Sequence, residues 1–175
     1  MNYSSDNGED YRHIMDRVVQ HLIREGITIS VMESCTGGLF SSALTDTEGA
    51  SAVFLGSFVT YSNEAKTKNG VPARLIDRYG VYSPETAEAM AEACRTFYGA
   101  DVGVGITGTT GNKDPNNGDS VLGEIFYAIL WGKEKCIHRL EVKTDGLARR
   151  EIKERIVGET AKALAGLLGL DDCEK

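Results

Sequence analysis

No run of apolar residues in this sequence comes near the roughly 18 to 20 that a membrane-spanning helix requires, and no cluster of lysine or arginine occurs. The first absence predicts a chain that does not cross a membrane. The polar, acidic start MNYSSDNGEDY lacks the apolar stretch of a secretory signal, so a cytoplasmic location is expected. The second absence, with 26 acidic against 19 basic side chains and a formal charge of -7, disfavours nucleic acid as a partner, because cations are what hold a phosphate backbone. A small anionic ligand stays compatible, since backbone N–H groups and one or two local cations bind it whatever the net charge. The four cysteines, Cys35, Cys94, Cys136 and Cys173, form no CxxC pair, which argues for reduced thiols and against a zinc site or a disulfide framework. Internal repeats are also absent. With 41% hydrophobic residues, the 175-residue chain is long enough for one core and one domain.

What is present alternates between helix and strand signals. Residues 1–8 are expected to be disordered, 9–170 to form the domain and 171–175 to be a tail. A first helix carries Ile14, Val18, His21 and Leu22 on one face and stops at Gly26. Ile27 to Met32 reads as a strand that ends at Glu33-Ser34-Cys35-Thr36-Gly37-Gly38 and runs into a helix over Leu39 to Leu44. Ala52 to Tyr61 reads as a second strand, followed by Ser62 to Lys66 as a capped helical turn. Ser83-Pro84 opens a helix whose apolar stripe is Ala87, Met90, Ala91, Cys94 and Phe97. Strand signals over Asp101 to Ile106, Leu122 to Leu130 and Cys136 to Val142 precede a long helix over Arg149 to Leu168. The expected fold is a single three-layer α/β/α domain around a central mixed β-sheet. In such a sheet, loops at the carboxyl ends of the strands line the ligand crevice. Three loops, after the first, second and third strands, hold most of the candidate chemistry, so they are expected to converge.

A serine in a tight turn between strand and helix is presented outward, with the N–H groups of Cys35 to Gly38 beside it, and Ser34 has that setting. The plainer reading is a serine that caps a helix. A nucleophilic serine needs a base, and His13, His21 and His138 all lie outside the glycine loops. A lysine serves once its pKa falls toward the working pH, and Lys66, near Tyr61 in Y-S-N-E-A-K, is the candidate; spacing alone would leave it a solvated surface charge. Cys35 competes as nucleophile, against its reading as a buried inert thiol. The stretch Asp114-Pro115-Asn116-Asn117-Gly118-Asp119 invites a calcium reading, but the twelfth position from Asp114 is Ile125 rather than glutamate, and a turn-rich loop is preferred.

Three segments in order, E-S-C-T-G-G, G-S-F-V-T-Y-S-N-E-A-K and Y-G-V-Y-S-P-E-T-A, resemble the CinA C-terminal domain family, to which bacterial nicotinamide mononucleotide deamidases belong. The resemblance spans about residues 10 to 170. It implies an α/β/α amidohydrolase of pyridine nucleotide salvage that works without metal or cofactor. Such an enzyme converts nicotinamide mononucleotide to nicotinic acid mononucleotide and ammonia through a serine, a lysine and a tyrosine. The matching residues are Ser34, Lys66 and Tyr61, and Ser51 in G-A-S-A-V-F is similar to a second serine of the family's site. The expected substrate-binding set is Glu33, Thr36, Gly37, Gly38, Thr107, Gly108 and Arg149.

Two segments depart from the family's pattern. Its G-I-A-G-P is read here at Gly105-Ile106-Thr107-Gly108-Thr109, where added hydroxyls bear on which substrate fits. Its G-D-R is replaced around Thr144 to Arg150, so Arg149 or Arg150 would face a phosphate. Other readings are a nucleotide-binding or sensing module with the same pocket, an amidase for a different substrate, and a protein acting near DNA, which the acidic balance disfavours. Leu, Phe and Tyr positions expected on the surface leave room for a homo-oligomer.

Overall fold

The computed structural model describes residues 10–111, 114, 115, 117, 118 and 120–170. The disordered start expected for 1–8 and the tail expected for 171–175, together with Asn116, Asp119 and Cys173, lie outside the described residues. Among the described residues, six α-helices and five strands follow in the order α1 Tyr11–Glu25, β1 Ile29–Glu33, α2 Leu39–Thr45, a 3-10 turn at Ala50–Ala52, β2 Phe54–Val59, α3 Asn63–Lys68, α4 Ala73–Tyr79, α5 Pro84–Tyr98, β3 Val102–Gly108, β4 Glu124–Trp131, β5 Glu134–Glu141 and α6 Arg149–Leu167. No described helix is long and apolar enough to cross a membrane.

The sheet order is β2-β1-β3-β4-β5, with β2, β1 and β3 parallel and β4 and β5 antiparallel, so the mixed sheet expected from the sequence is present. Every residue of β1 and β3 is buried, as strands covered on both faces must be. The edge strand β5 is made of exposed and half-buried positions without the strict alternation expected of it, since Cys136 and Ile137 are both half-buried and His138 and Arg139 both exposed. One face packs Ile29, Val31, Val104, Ile106, Ile125 and Ile129 against α1, α2 and α6; the other packs Met32, Phe126 and Ala128 against α5. Gly103 and Gly105 let α5 lie directly on β3, because a Cβ at Gly105 would stand 2.1 Å from the Ala87 carbonyl oxygen.

The helices expected from the sequence lie within two residues of their observed positions, with two differences in the packing and one further helix. Phe97, expected in the stripe of α5, is 70% exposed, because the inward face steps from Cys94 to Tyr98. The Tyr98 ring fills the space over Gly56. His21 is half-buried at the flank of α1, whose buried face is Ile14, Met15, Val18, Val19 and Leu22. Helix α4 was not expected: only Ile76 in it is buried, so its sequence carries no stripe of period 3.6.

Candidate active site

The loops after β1, β2 and β3 all leave the same edge of the sheet, because those strands are parallel. They enclose a cavity of about 720 Å³ lined by Ser34, Cys35, Tyr61, Lys66, Tyr82, Gly108 to Gly111, Asp114, Asn117 and Arg149 among others. The convergence expected from strand order therefore occurs.

Ser34 is held by its main chain. Its N–H donates to the Ile106 carbonyl at 2.9 Å, extending the pairing of β1 with β3 one residue past the strand, and its own carbonyl accepts from Gly37 N–H at 3.1 Å. On the other side Thr60 N–H donates to the Glu33 carbonyl at 2.8 Å, and the chain turns at Ser62, whose Oγ caps α3 by accepting from Ala65 N–H at 3.0 Å. One helical turn later Lys66 points back under the turn. It is 1% exposed, its Nζ donates to the Thr60 carbonyl at 2.8 Å, and the same Nζ lies 3.0 Å from Ser34 Oγ. Burial lowers the Lys66 pKa from 10.5 to about 8, with the negative charge of Asp114 among the influences opposing the shift. A buried amine with that pKa, in hydrogen-bond reach of a serine hydroxyl, is poised to exchange a proton with it. Next to Ser34, burial above all pushes the Cys35 thiol up to about 12, and the charge of Glu33 adds to the shift. At neutral pH that thiol stays protonated and is a poor nucleophile.

The turn between β1 and α2 is built differently from its sequence reading. Gly37 and Gly38 take φ of 63° and 93°, and their N–H groups bond inside the protein, to the Ser34 carbonyl and to Glu33 Oε2. Glu33, expected to bind substrate, is fully buried; its carboxylate also accepts from Phe40 N–H, Ser41 N–H at 2.8 Å and Ser41 Oγ at 2.5 Å. It closes the amino end of α2 and leaves no oxygen for a ligand. Of the N–H groups from Cys35 to Gly38, those of Cys35 and Thr36 face the Cys35 sulfur, where they oppose the rise in its pKa.

At the rim, Arg149, the first residue of α6, lines the cavity, lies against Gly111 and donates from Nη2 to Tyr61 Oη at 2.9 Å. Arg150 turns away to pair with Glu154 at 3.0 Å, which separates the two arginines that the sequence left as alternatives. Tyr61 is 63% exposed and contacts Arg149 rather than Ser34 or Lys66. Across the cavity Tyr82 Oη donates to Asp114 Oδ2 at 2.5 Å, Asn117 Nδ2 donates to the same oxygen at 2.6 Å, and Asn63 Nδ2 donates to Asn117 Oδ1 at 2.8 Å. Burial and the Asp114 carboxylate raise the Tyr82 pKa, so the phenol keeps its proton. Thr110 also lines the cavity, its Oγ1 buried with no hydrogen-bond partner among the described residues.

The sequence profile of the CinA C-terminal domain matches residues 11–168. The chain belongs to that family. It is 43% identical over 147 residues to a CinA-like protein of Desulfotalea psychrophila, covering 82% of this chain and 34% of that one. With a CinA-like protein of Geotalea daltonii it shares 42% identity over 128 residues, 72% of this chain and 30% of the other. The CinA C-terminal chain thus spans about a third of the length of these curated relatives. Among solved structures, the competence/damage inducible protein CihA of Agrobacterium tumefaciens is 29% identical with a TM-score of 0.80, over 96% of this chain and 99% of that one. A CinA superfamily protein of Klebsiella pneumoniae matches the fold, with 23% identity and a TM-score of 0.84 over 92% and 99% of the two chains.

Of the site residues expected for a CinA C-terminal domain, Ser34, Lys66, Tyr61, Gly108 and Arg149 meet at the cavity. Ser51 does not. It is exposed in the turn before β2, where the Val53 carbonyl accepts from Ile29 N–H, so it stands at the amino end of the parallel strands. Five residues of β1, at about 3.3 Å each, separate that end from Ser34. Thr107 is fully buried inside β3, with its Oγ1 donating to the Val81 carbonyl at 3.1 Å, and so do not Gly105 to Thr107 but Gly108 to Gly111 form the pocket's third loop. Thr36, Gly37 and Gly38 sit behind Ser34 rather than on the cavity wall. Sequence reasoning missed Asn63, Tyr82 and Asn117 as site residues. Tyr82 directly precedes the Ser83-Pro84 cap of α5, and a residue placed there stands at the same sheet edge as Ser34; that was the available signal.

Proposed function

We propose that this chain hydrolyses the carboxamide of nicotinamide mononucleotide, giving nicotinic acid mononucleotide and ammonia. The observation that carries the reading is the buried Lys66 Nζ 3.0 Å from Ser34 Oγ. Neutral Lys66 takes the Ser34 proton as Oγ attacks the carboxamide carbon, and the N–H of Cys35, which lines the cavity beside Ser34, is the local donor for the oxyanion. The lysine then returns the proton to the departing nitrogen, which leaves as ammonia. A water, activated by the same amine, hydrolyses the Ser34 ester. Thr60 orients Nζ through its carbonyl, and Arg149 with Tyr61 offers a cation and a hydroxyl to the substrate phosphate.

The same proposal places the protein in the cytoplasm with a small molecule, and neither nucleic acid nor membrane, as its partner. A homo-oligomer belongs to it too, resting on Leu55, Val59 and Phe97, which are 40%, 51% and 70% exposed, and sedimentation velocity checks it. The test of the activity is ammonia release from nicotinamide mononucleotide by the native chain and by Ser34→Ala. Turnover by the first alone is expected. Binding of the nucleotide by the native chain without turnover sinks the reading in favour of a sensing module.

A further inference from the structure

Asn63 and Lys66 lie one helical turn apart on α3, so they share a face of that helix, and both line the cavity. Lys66 is committed to Ser34 and to the Thr60 carbonyl. Asn63 has its orientation set from the third loop. A carboxylate oxygen only accepts, so Asn117 turns Nδ2 to Asp114 Oδ2 at 2.6 Å, which leaves its Oδ1 toward Asn63. Asn63 in turn donates from Nδ2 to that Oδ1 at 2.8 Å. The two amides are therefore held in one sense. Asn63 Oδ1, at the other end of its planar amide, receives no hydrogen bond from the described residues and is an acceptor left for a ligand.

An amide bound for attack by Ser34 has its carbonyl oxygen toward the Cys35 N–H and its nitrogen toward Lys66, which returns the proton to it. The nitrogen thus lies on the α3 side, the side that also carries Asn63. We propose that Asn63 is a specificity-determining residue whose Oδ1 accepts a hydrogen bond from the carboxamide N–H, so that the pocket selects a carbonyl group bearing an N–H over one of the same shape without it. The inference rests on the amidohydrolase reading and adds the group that tells an amide from a ketone, an ester or the acid product. A methyl group set against a fixed acceptor leaves that acceptor unpaired, at a cost of about tenfold in affinity. The acid product has no N–H to offer, so the contact is lost on hydrolysis. An Asn63 that merely ties α3 to Asn117 would treat amide and ketone alike.

The test uses the full chain with Ser34→Ala, titrated calorimetrically with nicotinamide mononucleotide and with acetylpyridine mononucleotide, in which a methyl group replaces the amide nitrogen at unchanged charge. The amide is expected to bind about tenfold more tightly. Adding Asn63→Ala is expected to bring the ratio to about one, with the affinity for the ketone within about twofold. Equal affinities in the Ser34→Ala chain overturn the proposal without any change at Asn63, so a poorly folding variant does not protect it. A preference that survives Asn63→Ala overturns it, as does an equal loss of both affinities in that variant. Ammonia release by the native chain alongside equal affinities overturns this inference alone; no binding of either nucleotide overturns the amidohydrolase reading with it.

Discussion

Ser34 and Ser51 stand at opposite ends of the same parallel strands, each in a short segment of small residues. Ser34 follows β1 at its carboxyl end, 5% exposed, with a buried amine in hydrogen-bond reach. Ser51 precedes β2 at its amino end, exposed, on a 3-10 turn that packs beside α1. The residue type is the same and the chemistry available is not. What differs is the strand end: loops from β1, β2 and β3 collect at one and bring their polar groups together, while the other end meets α1 and the apolar core.

The sharpest way to break this contrast is Ser34→Ala, for which turnover on nicotinamide mononucleotide is expected to fall about 10⁴-fold while the melting temperature holds. Turnover surviving that change would make Ser34 a plain structural serine. Lys66→Met is expected to lose about 10³-fold. The pH profile adds a sign. The amine must be neutral to act, so the native rate should climb with pH through about 8 and then level off. The folded chain releases the Lys66 proton at lower pH than the unfolded chain, whose lysine stays charged up to about 10.5, so the lysine's contribution to stability grows as pH rises from about 8. Lys66→Met should flatten both dependences, measured by initial rates and by thermal melts across that range.

Glu33→Gln tests the scaffold behind Ser34 rather than the chemistry. It sets an amide N–H₂ among donors that need an acceptor, and a loss of about 3 kcal/mol, roughly 10 °C in melting temperature, is expected by calorimetry. Tyr61→Phe removes the Arg149 partner at the exposed rim, and a rise in KM of about fivefold with kcat nearly unchanged is expected from steady-state kinetics. Ser51→Ala should change kcat/KM by less than about twofold. A large effect there would place Ser51 in the site despite its position in the fold.

Local pattern made much of this legible. Alternation and period identified five strand segments and the long helices, and the family resemblance singled out Ser34, Lys66 and Arg149 from many polar residues. Glu33 shows where that legibility stops. A glutamate before S-C-T-G-G reads as a ligand-binding charge, and only the fold shows its carboxylate turned back onto the N–H groups of Phe40 and Ser41. Phe97 was misplaced for a related reason: an apolar residue at helical spacing is inward only if the neighbouring element extends beneath it.

The sequence by itself determined that strands and helices alternate, that the chain carries no apolar run long enough to span a membrane, and that small-residue loops follow three of the strands, because these depend on neighbours a few residues apart. The burial of Lys66, the selection of Arg149 over Arg150, the exclusion of Ser51 and the pairing of Tyr82 with Asp114 were decided only by tertiary structure. Each depends on which strand ends share an edge and on what lies above them, and a lysine's pKa follows from the water it has lost rather than from the residues beside it in sequence.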